Sequence, residues 1–391
     1  MRTIWLVLAL LAFGIAARAN QVLGVNSPAV RFSPGNWAGD TGRGGSIRRT
    51  TWNNGAWCAW TWTTTSDAPT ATLHITNQTP GSAVSYFLDG ALADNVAVPA
   101  QGGIALAGLS GSGQHMLIVY MRNSVQKDRW SGKNAFTVTG LTVDDGARPL
   151  PAAPARPWAL IVGDSITEGI QADNGRDSAL SDYSFLVGQG LMAAGYDYGV
   201  SACGYSGWIR PGDAGGDVPA YFAVRNGVPS DADSRWDKID AHTPLLDAQG
   251  HLSAYGRLGQ EPALILINYA TNEALSGASL TEMRQSVTLC LAALRRAAPN
   301  ARIVVLVPPG LADRRIYARG SEAITALKDG VTAYQTAHRA DARVALLDLG
   351  PLVAHALASP AYGGGVHPNA AGHAYLAPLV LQGLIVAMSA K

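Results

Sequence analysis

The stretch Trp158-Ala159-Leu160-Ile161-Val162-Gly163-Asp164-Ser165-Ile166-Thr167-Glu168-Gly169 decides how this sequence is read. Trp158 to Val162 form a short apolar run, as a strand buried on both faces of a parallel sheet requires, and Gly163-Asp164 then turns the chain. Ser165 is expected where strand gives way to helix. At such a junction backbone amides point at whatever binds, and the helix dipole favours developing negative charge.

Downstream the same kind of run recurs at Tyr196 to Val200, Ala263 to Ile267, Ile303 to Val307 and Val344 to Leu347. Between the third and fourth, Ser279 and Glu282 form a capping box. Met283, Val287, Cys290, Leu291 and Leu294 then repeat on one helical face until Pro299-Asn300. Five strands alternating with helices predict an α/β fold, a doubly wound domain on a five-stranded parallel sheet. Sites in that architecture assemble beyond the carboxyl ends of the strands. The polar, Gly-containing segment Ala241 to Gly259 interrupts the alternation, either as a lid or outer wall of a site or as an ordinary surface insertion.

Upstream, from about Asn20 to Leu150, the chain is rich in Thr, Gly and Trp. Alternating runs such as Ala71 to Ile75 and Val84 to Leu88 are separated by turn signals such as Asp89-Gly90 and Pro80-Gly81. This pattern predicts an all-β sandwich. Pro149, Pro151, Pro154 and Pro157 follow as a stiff connector, which divides residues 20–150 from a second domain over 151–391. At the start, Arg2, the apolar run Ile4 to Ile15 and Ala17-Arg18-Ala19 have the pattern of an export signal over residues 1–19. That run is shorter than the roughly 20 residues of a membrane span, and no second span is expected. The mature protein is expected in the periplasm or outside the cell.

With 391 residues, 48% hydrophobic and 15% charged, the chain is too apolar to be disordered. A formal charge of +1 gives no reason to expect nucleic acid or an acidic membrane as partner. Cys58, Cys203 and Cys290 match no zinc spacing and cannot all pair, so they are expected free and buried. Neither a metal nor a cofactor is expected.

A serine becomes a nucleophile only with a base beside it. Of the eight histidines, His367 stands out, because Gly363-Gly364-Gly365-Val366-His367-Pro368-Asn369 is a flexible loop leading into the last helix. His373 falls within that helix and is expected to be packed or solvated. Acyl transfer also needs donors aimed at an oxyanion, and two loops after strands offer them. Ser201 to Gly207 contains Gly204, whose missing Cβ lets its amide approach closely, and Asn268 to Glu273 contains Asn272. The Ser165 amide completes the expected oxyanion hole. Tyr205 and Trp208 are candidates for an apolar or sugar-stacking wall, with a core position equally open for Trp208.

A Ser, a Gly, an Asn and a His, each after a different strand, resemble the four blocks of the SGNH subgroup of the GDSL hydrolases, over about Ala159 to Leu384. The resemblance implies a serine carboxylic-ester hydrolase with Ser165 as nucleophile and His367 as base. With a β-sandwich in front, and with His115 to Val119 and Ala135 to Val138 resembling the end of a jelly roll, the chain is similar to carbohydrate esterases of family 2. That similarity implies an acetylated oligo- or polysaccharide as substrate, with acetate released through an acyl-enzyme.

The family's D-x-x-H block places an acid at position 364, where this chain has Gly364. An acid in that role holds the histidine tautomer. Two replacements are open: a Ser-His dyad with a backbone carbonyl of Gly364 or Gly365 on the imidazole, or an acid from elsewhere, with Asp348 the nearest candidate. Asp164 is expected to hold its own loop. Two further readings also stand. One is a non-catalytic carbohydrate-binding protein, suggested by Gly364 and by Trp37, Trp52, Trp57, Trp60, Trp62 and Trp130. The other is an acyltransferase or lipase using the same residues.

Overall fold

The computed structural model describes residues 20–41, 47–213, 216–254, 260–308, 314–349 and 365–389. Residues 1–19, where an export signal is expected, and Gly364 lie outside them.

Residues 21–149 form two six-stranded sheets, whose strand pairs are antiparallel. One runs β3 (Ala38–Thr41), β4 (Ile47–Thr51), β11 (Phe136–Val143), β6 (Ala71–Thr76), β9 (Ile104–Ala105), with β1 (Gln21–Gly24) also on β11. The other runs β12 (Arg148–Pro149), β5 (Trp57–Thr64), β10 (Gly113–Asn123), β7 (Ala83–Leu88), β8 (Ala91–Ala97), with β2 (Val30–Phe32) also on β5. The period-2 pattern of β5 and β6 turns Trp60, Trp62, Leu73 and Ile75 into the core between the sheets, where they meet Leu117, Val119, Val138 and Leu141. Pro149 is itself in a strand, paired with Trp62; a proline is tolerated there because β12 is an edge.

The tryptophan-rich region presents no stacking face. Trp37, Trp52, Trp57, Trp60, Trp62 and Trp130 are all buried, because large aromatic area is what fills the space between sheets and the joint behind them. Trp57 and Tyr120 belong to one apolar core with Ala159, Ile161, Val200 and Leu376 of the second half. Across the same joint the Trp57 indole donates to the Tyr198 carbonyl (3.1 Å), Trp52 to Ile239 (2.7 Å) and the Asn36 amide to Val200 (3.1 Å). The two halves are thus packed as one body, and residues 151–157 carry no regular structure between them.

The second half holds a parallel sheet in the order β14 (Asp197–Ala202), β13 (Trp158–Gly163), β17 (Leu264–Asn268), β18 (Arg302–Leu306), β19 (Val344–Leu347). A two-stranded ribbon, β15 (Val224–Arg225) and β16 (Val228–Pro229), lies between β14 and β17 in sequence. The six α-helices among the described residues are α1 (Ser165–Glu168), α2 (Tyr183–Ala193), α3 (Thr271–Ser276), α4 (Leu280–Ala297), α5 (Arg314–Ala337) and α6 (Ala370–Ser389). Ser279 caps α4 as its sequence demands, accepting from the Glu282 amide at 3.3 Å. Helix α6 is long and apolar enough to cross a membrane. Its hydrophobicity has another use here, since Leu376, Ala377, Val380 and Leu384 are buried in the core shared with the sheet.

Because β13 pairs with β14 on one side and β17 on the other, the chain reverses its winding at β13. The crevice of a doubly wound sheet opens at that point, and Ser165 stands at the carboxyl end of β13. Residues 241–254 do not line this crevice. Leu245, Leu252 and Ala254 are buried in the core, the Leu252 amide donates to Ala297 (2.7 Å) and the Gly35 amide to Ala254 (2.9 Å). Positions 255–259 lie outside the described residues.

Candidate active site

Ser165 is the first residue of α1. Asp164 caps this helix, its Oδ1 accepting from the Ile166 amide at 3.0 Å, so Asp164 holds the turn. As the first helical residue, Ser165 has an N–H with no acceptor inside the helix. Gly163 makes the tight turn feasible, since a Cβ there would lie 2.0 Å from the Thr167 hydroxyl. The short helix ends at Gly169 in the left-handed conformation (φ 83°).

His367 Nε2 lies 2.9 Å from Ser165 Oγ. Its Nδ1 lies 3.2 Å from the side-chain carbonyl of Gln171. The Gly365 carbonyl does not take this place, Asp348 pairs instead with Lys328, and Gly364 lies outside the described residues. An amide oxygen only accepts, so Nδ1 carries the proton and donates, and Nε2 is left with a lone pair facing the serine hydroxyl. Burial lowers the His367 pKa from its usual value, opposed in part by the Glu168 carboxylate, which keeps the imidazole neutral at neutral pH. Gln171 adopts a left-handed backbone (φ 57°), and its amide is fixed by Asp177 Oδ1 at 2.9 Å.

His373 is buried in α6. Its Nδ1 accepts from the Tyr183 amide (3.1 Å), its ring stacks on Tyr183, and burial pulls its pKa down to about 3. It is a neutral packing residue.

The Gly204 expectation is corrected. Its N–H donates to Glu168 Oε2 at 2.7 Å, so it is turned to a buried carboxylate rather than offered to a substrate. Glu168 collects donors because an ionised carboxylate without water must be matched by them. Asn54 reaches Oε1 (3.0 Å), Gln126 reaches Oε2 (3.0 Å), and Arg129 forms an ion pair with it. All three come from the β-sandwich, so that half of the protein braces the helix carrying Ser165. A Cβ at position 204 would lie 1.6 Å from Gln126 Nε2, so any larger residue there has to push that side chain off Glu168. Asn272 lines the cleft, and its Nδ2 donates to the Ser206 carbonyl (2.8 Å), leaving a second N–H on the same nitrogen.

Tyr205 and Trp208 separate sharply. Tyr205 is 56% exposed, lines the cleft and has a left-handed backbone (φ 62°). Trp208 is fully buried against Tyr221 and Tyr269 and forms no part of the wall. Ala270, just before Asn272, has φ 120°. Three non-glycine residues with positive φ thus flank the site, each costing roughly 1–3 kcal/mol of strain that the surrounding packing must hold.

The cleft has a volume of about 580 Å³. Ile170, Leu275 and Val366 supply apolar surface, and Gln126, Gln171, Asp177, Arg210 and Ser276 supply polar groups. Gln126 and Gln171 carry no motif that the sequence could have revealed.

Residues 161–375, more than half of the chain, are matched by a family model for GDSL-like lipases and acylhydrolases. The chain belongs to this family. No curated protein sequence is similar enough to match it. Among solved structures, it is similar to a family 2 carbohydrate esterase from Cellvibrio japonicus, with TM-score 0.70, 16% identity, and coverage of 95% of this chain and 98% of the other. It is also similar to the acetyl xylan esterase Est2A from the rumen bacterium Butyrivibrio proteoclasticus (TM-score 0.67, 15% identity, 95% and 100% covered). A family 2 carbohydrate esterase from Clostridium thermocellum, solved with cellohexaose, has TM-score 0.62 at 16% identity, with 91% and 98% covered. At these identities the likeness establishes that the acylhydrolase shares their fold across both halves.

Proposed function

We propose that this acylhydrolase is an exported esterase that removes acetyl groups from carbohydrate. The contact of Ser165 Oγ with His367 Nε2 at 2.9 Å, at the mouth of a cleft, carries the proposal. Ser165 attacks the acetyl carbonyl while its proton passes to Nε2. The imidazolium that forms is held by the Gln171 carbonyl, and the oxyanion receives the Ser165 N–H and the spare N–H of Asn272, each such donor contributing about 3–4 kcal/mol where measured. The proton then goes to the leaving sugar oxygen. Water attacks the acetyl-enzyme with His367 again as base, and acetate leaves.

A polar rim of Gln126, Asp177, Arg210 and Ser276 suits hydroxyl-bearing alcohols better than lipid chains, and Tyr205 offers a ring face at the entrance. The similar solved structures named for carbohydrate and acetyl xylan esterases support the same substrate class. Export rests on the pattern of Arg2, Ile4 to Ile15 and Ala17-Arg18-Ala19.

The test is hydrolysis of 4-nitrophenyl acetate and of acetylated xylan and sugars by the purified protein, with fluorophosphonate labelling of the serine. Ser165→Ala should abolish turnover and labelling. Turnover surviving in that variant sinks the mechanism, and a preference for long acyl chains over acetate sinks the substrate assignment.

A further inference from the structure

We propose that Arg210 makes the cleft a carboxylate-binding site, so that the favoured ester carries an anionic group on its sugar or on its acyl part. This rests on the esterase reading for its catalytic consequence, but the binding site itself does not.

Among the described residues, the other buried arginines around this site are engaged: Arg122 and Arg129 by carboxylates, and Arg235 by neutral oxygens alone. Arg122 pairs with Asp94 and Asp173, Arg129 with Glu168 and Asp213, and Arg235 donates to Ser201 and Tyr269. Arg210 is half-buried in the cleft with Ser165, Asn272 and Tyr205, and among the described residues its guanidinium has neither an ion pair nor a side-chain hydrogen bond. A guanidinium is always charged and presents five donors in a planar fork fitted to a carboxylate. Holding it partly desolvated and unpaired is unfavourable, and an incoming anion relieves that.

The acid nearest in charge does not serve. Glu273 is buried behind the loop, its Oε1 taken by the Ile209 amide at 3.2 Å. Burial lifts its pKa to about 7 against its backbone hydrogen bonds and the pull of Arg210, so it is a weaker counter-ion than an exposed carboxylate. Among the described residues the other charged side chain on the cleft is Asp177, which accepts from the Gln171 backbone amide. It opposes an anion on its own wall and so restricts where a carboxylate can sit.

Two substrate pairs locate the anion: an acetylated methyl glucuronoside against the matching glucoside, and a succinyl against an acetyl ester of that glucoside. The expected result is a kcat/KM preference of about tenfold or more for the carboxylate-bearing member of one pair, weakening as salt rises. Arg210→Gln should erase the preference and Arg210→Lys keep part of it. A preference below about twofold in both pairs, or one that persists in Arg210→Gln, overturns the proposal. Calorimetry of Ser165→Ala with methyl glucuronoside and methyl glucoside reads the site without catalysis. Serine labelling by fluorophosphonate with no carboxylate preference refutes the anion site and leaves the esterase standing. Uronate binding lost on Arg210→Gln without serine labelling does the reverse.

Discussion

Gln171→Asn isolates what orients His367. Asparagine tolerates the left-handed backbone at this position, so the φ of 57° is retained. The side chain is one methylene shorter, which takes its carbonyl from 3.2 Å to beyond hydrogen-bond reach of Nδ1. In the resting enzyme that bond is between neutral groups and contributes about 1 kcal/mol; against the imidazolium it is charge-assisted and contributes about 1.5–3 kcal/mol. Only the difference appears in kcat, so a loss of roughly 0.5–2 kcal/mol, or about 2- to 30-fold, is expected with little change in KM. Gln171→Glu is nearly isosteric and places a carboxylate on Nδ1. It should raise the His367 pKa, because the carboxylate favours the imidazolium, and move the acidic limb of kcat/KM to higher pH. Both variants are assayed from pH 4 to 9 with melting temperatures as a folding control. Activity within twofold of the parent in Gln171→Asn, together with an unmoved acidic limb in Gln171→Glu, refutes a positioning role.

Glu168→Gln should lower unfolding free energy by about 3–5 kcal/mol, since it leaves the Arg129 charge buried without its main partner; chemical denaturation reads it. Gly204→Ala must displace the Gln126 side chain and break its 3.0 Å bond to Glu168, costing about 1–3 kcal/mol in the same assay and reducing turnover through the displaced cleft wall. His373, with a pKa near 3 when folded against 6.5 ordinarily, binds fewer protons folded than unfolded between those values. Its contribution is therefore full above pH 6.5 and lost as pH falls toward 3, amounting to about 2 kcal/mol by pH 5. Replacing it with Gln should flatten the pH dependence of the melting temperature over that range, whatever the variant's stability at pH 7.

The five-stranded parallel sheet, the capped helix Leu280–Ala297 and the pairing of Ser165 with the His367 loop were legible in the sequence. Each depends on local signals: apolar runs, Ser279 with Glu282, and a serine on a strand-to-helix turn. The buried cysteines followed from composition in the same way. Tertiary structure alone decided which groups face which. Gln171 reaches Nδ1 across 196 positions of sequence, and Gln126 and Arg129 reach Glu168 from the other half of the chain. The buried carboxylate of Glu168 redirected the Gly204 amide, and the space between Tyr221 and Tyr269 claimed Trp208. Periodicity reports which face of an element is buried; it carries no information about the partner that buries it, because that partner is chosen by packing between segments remote in the chain.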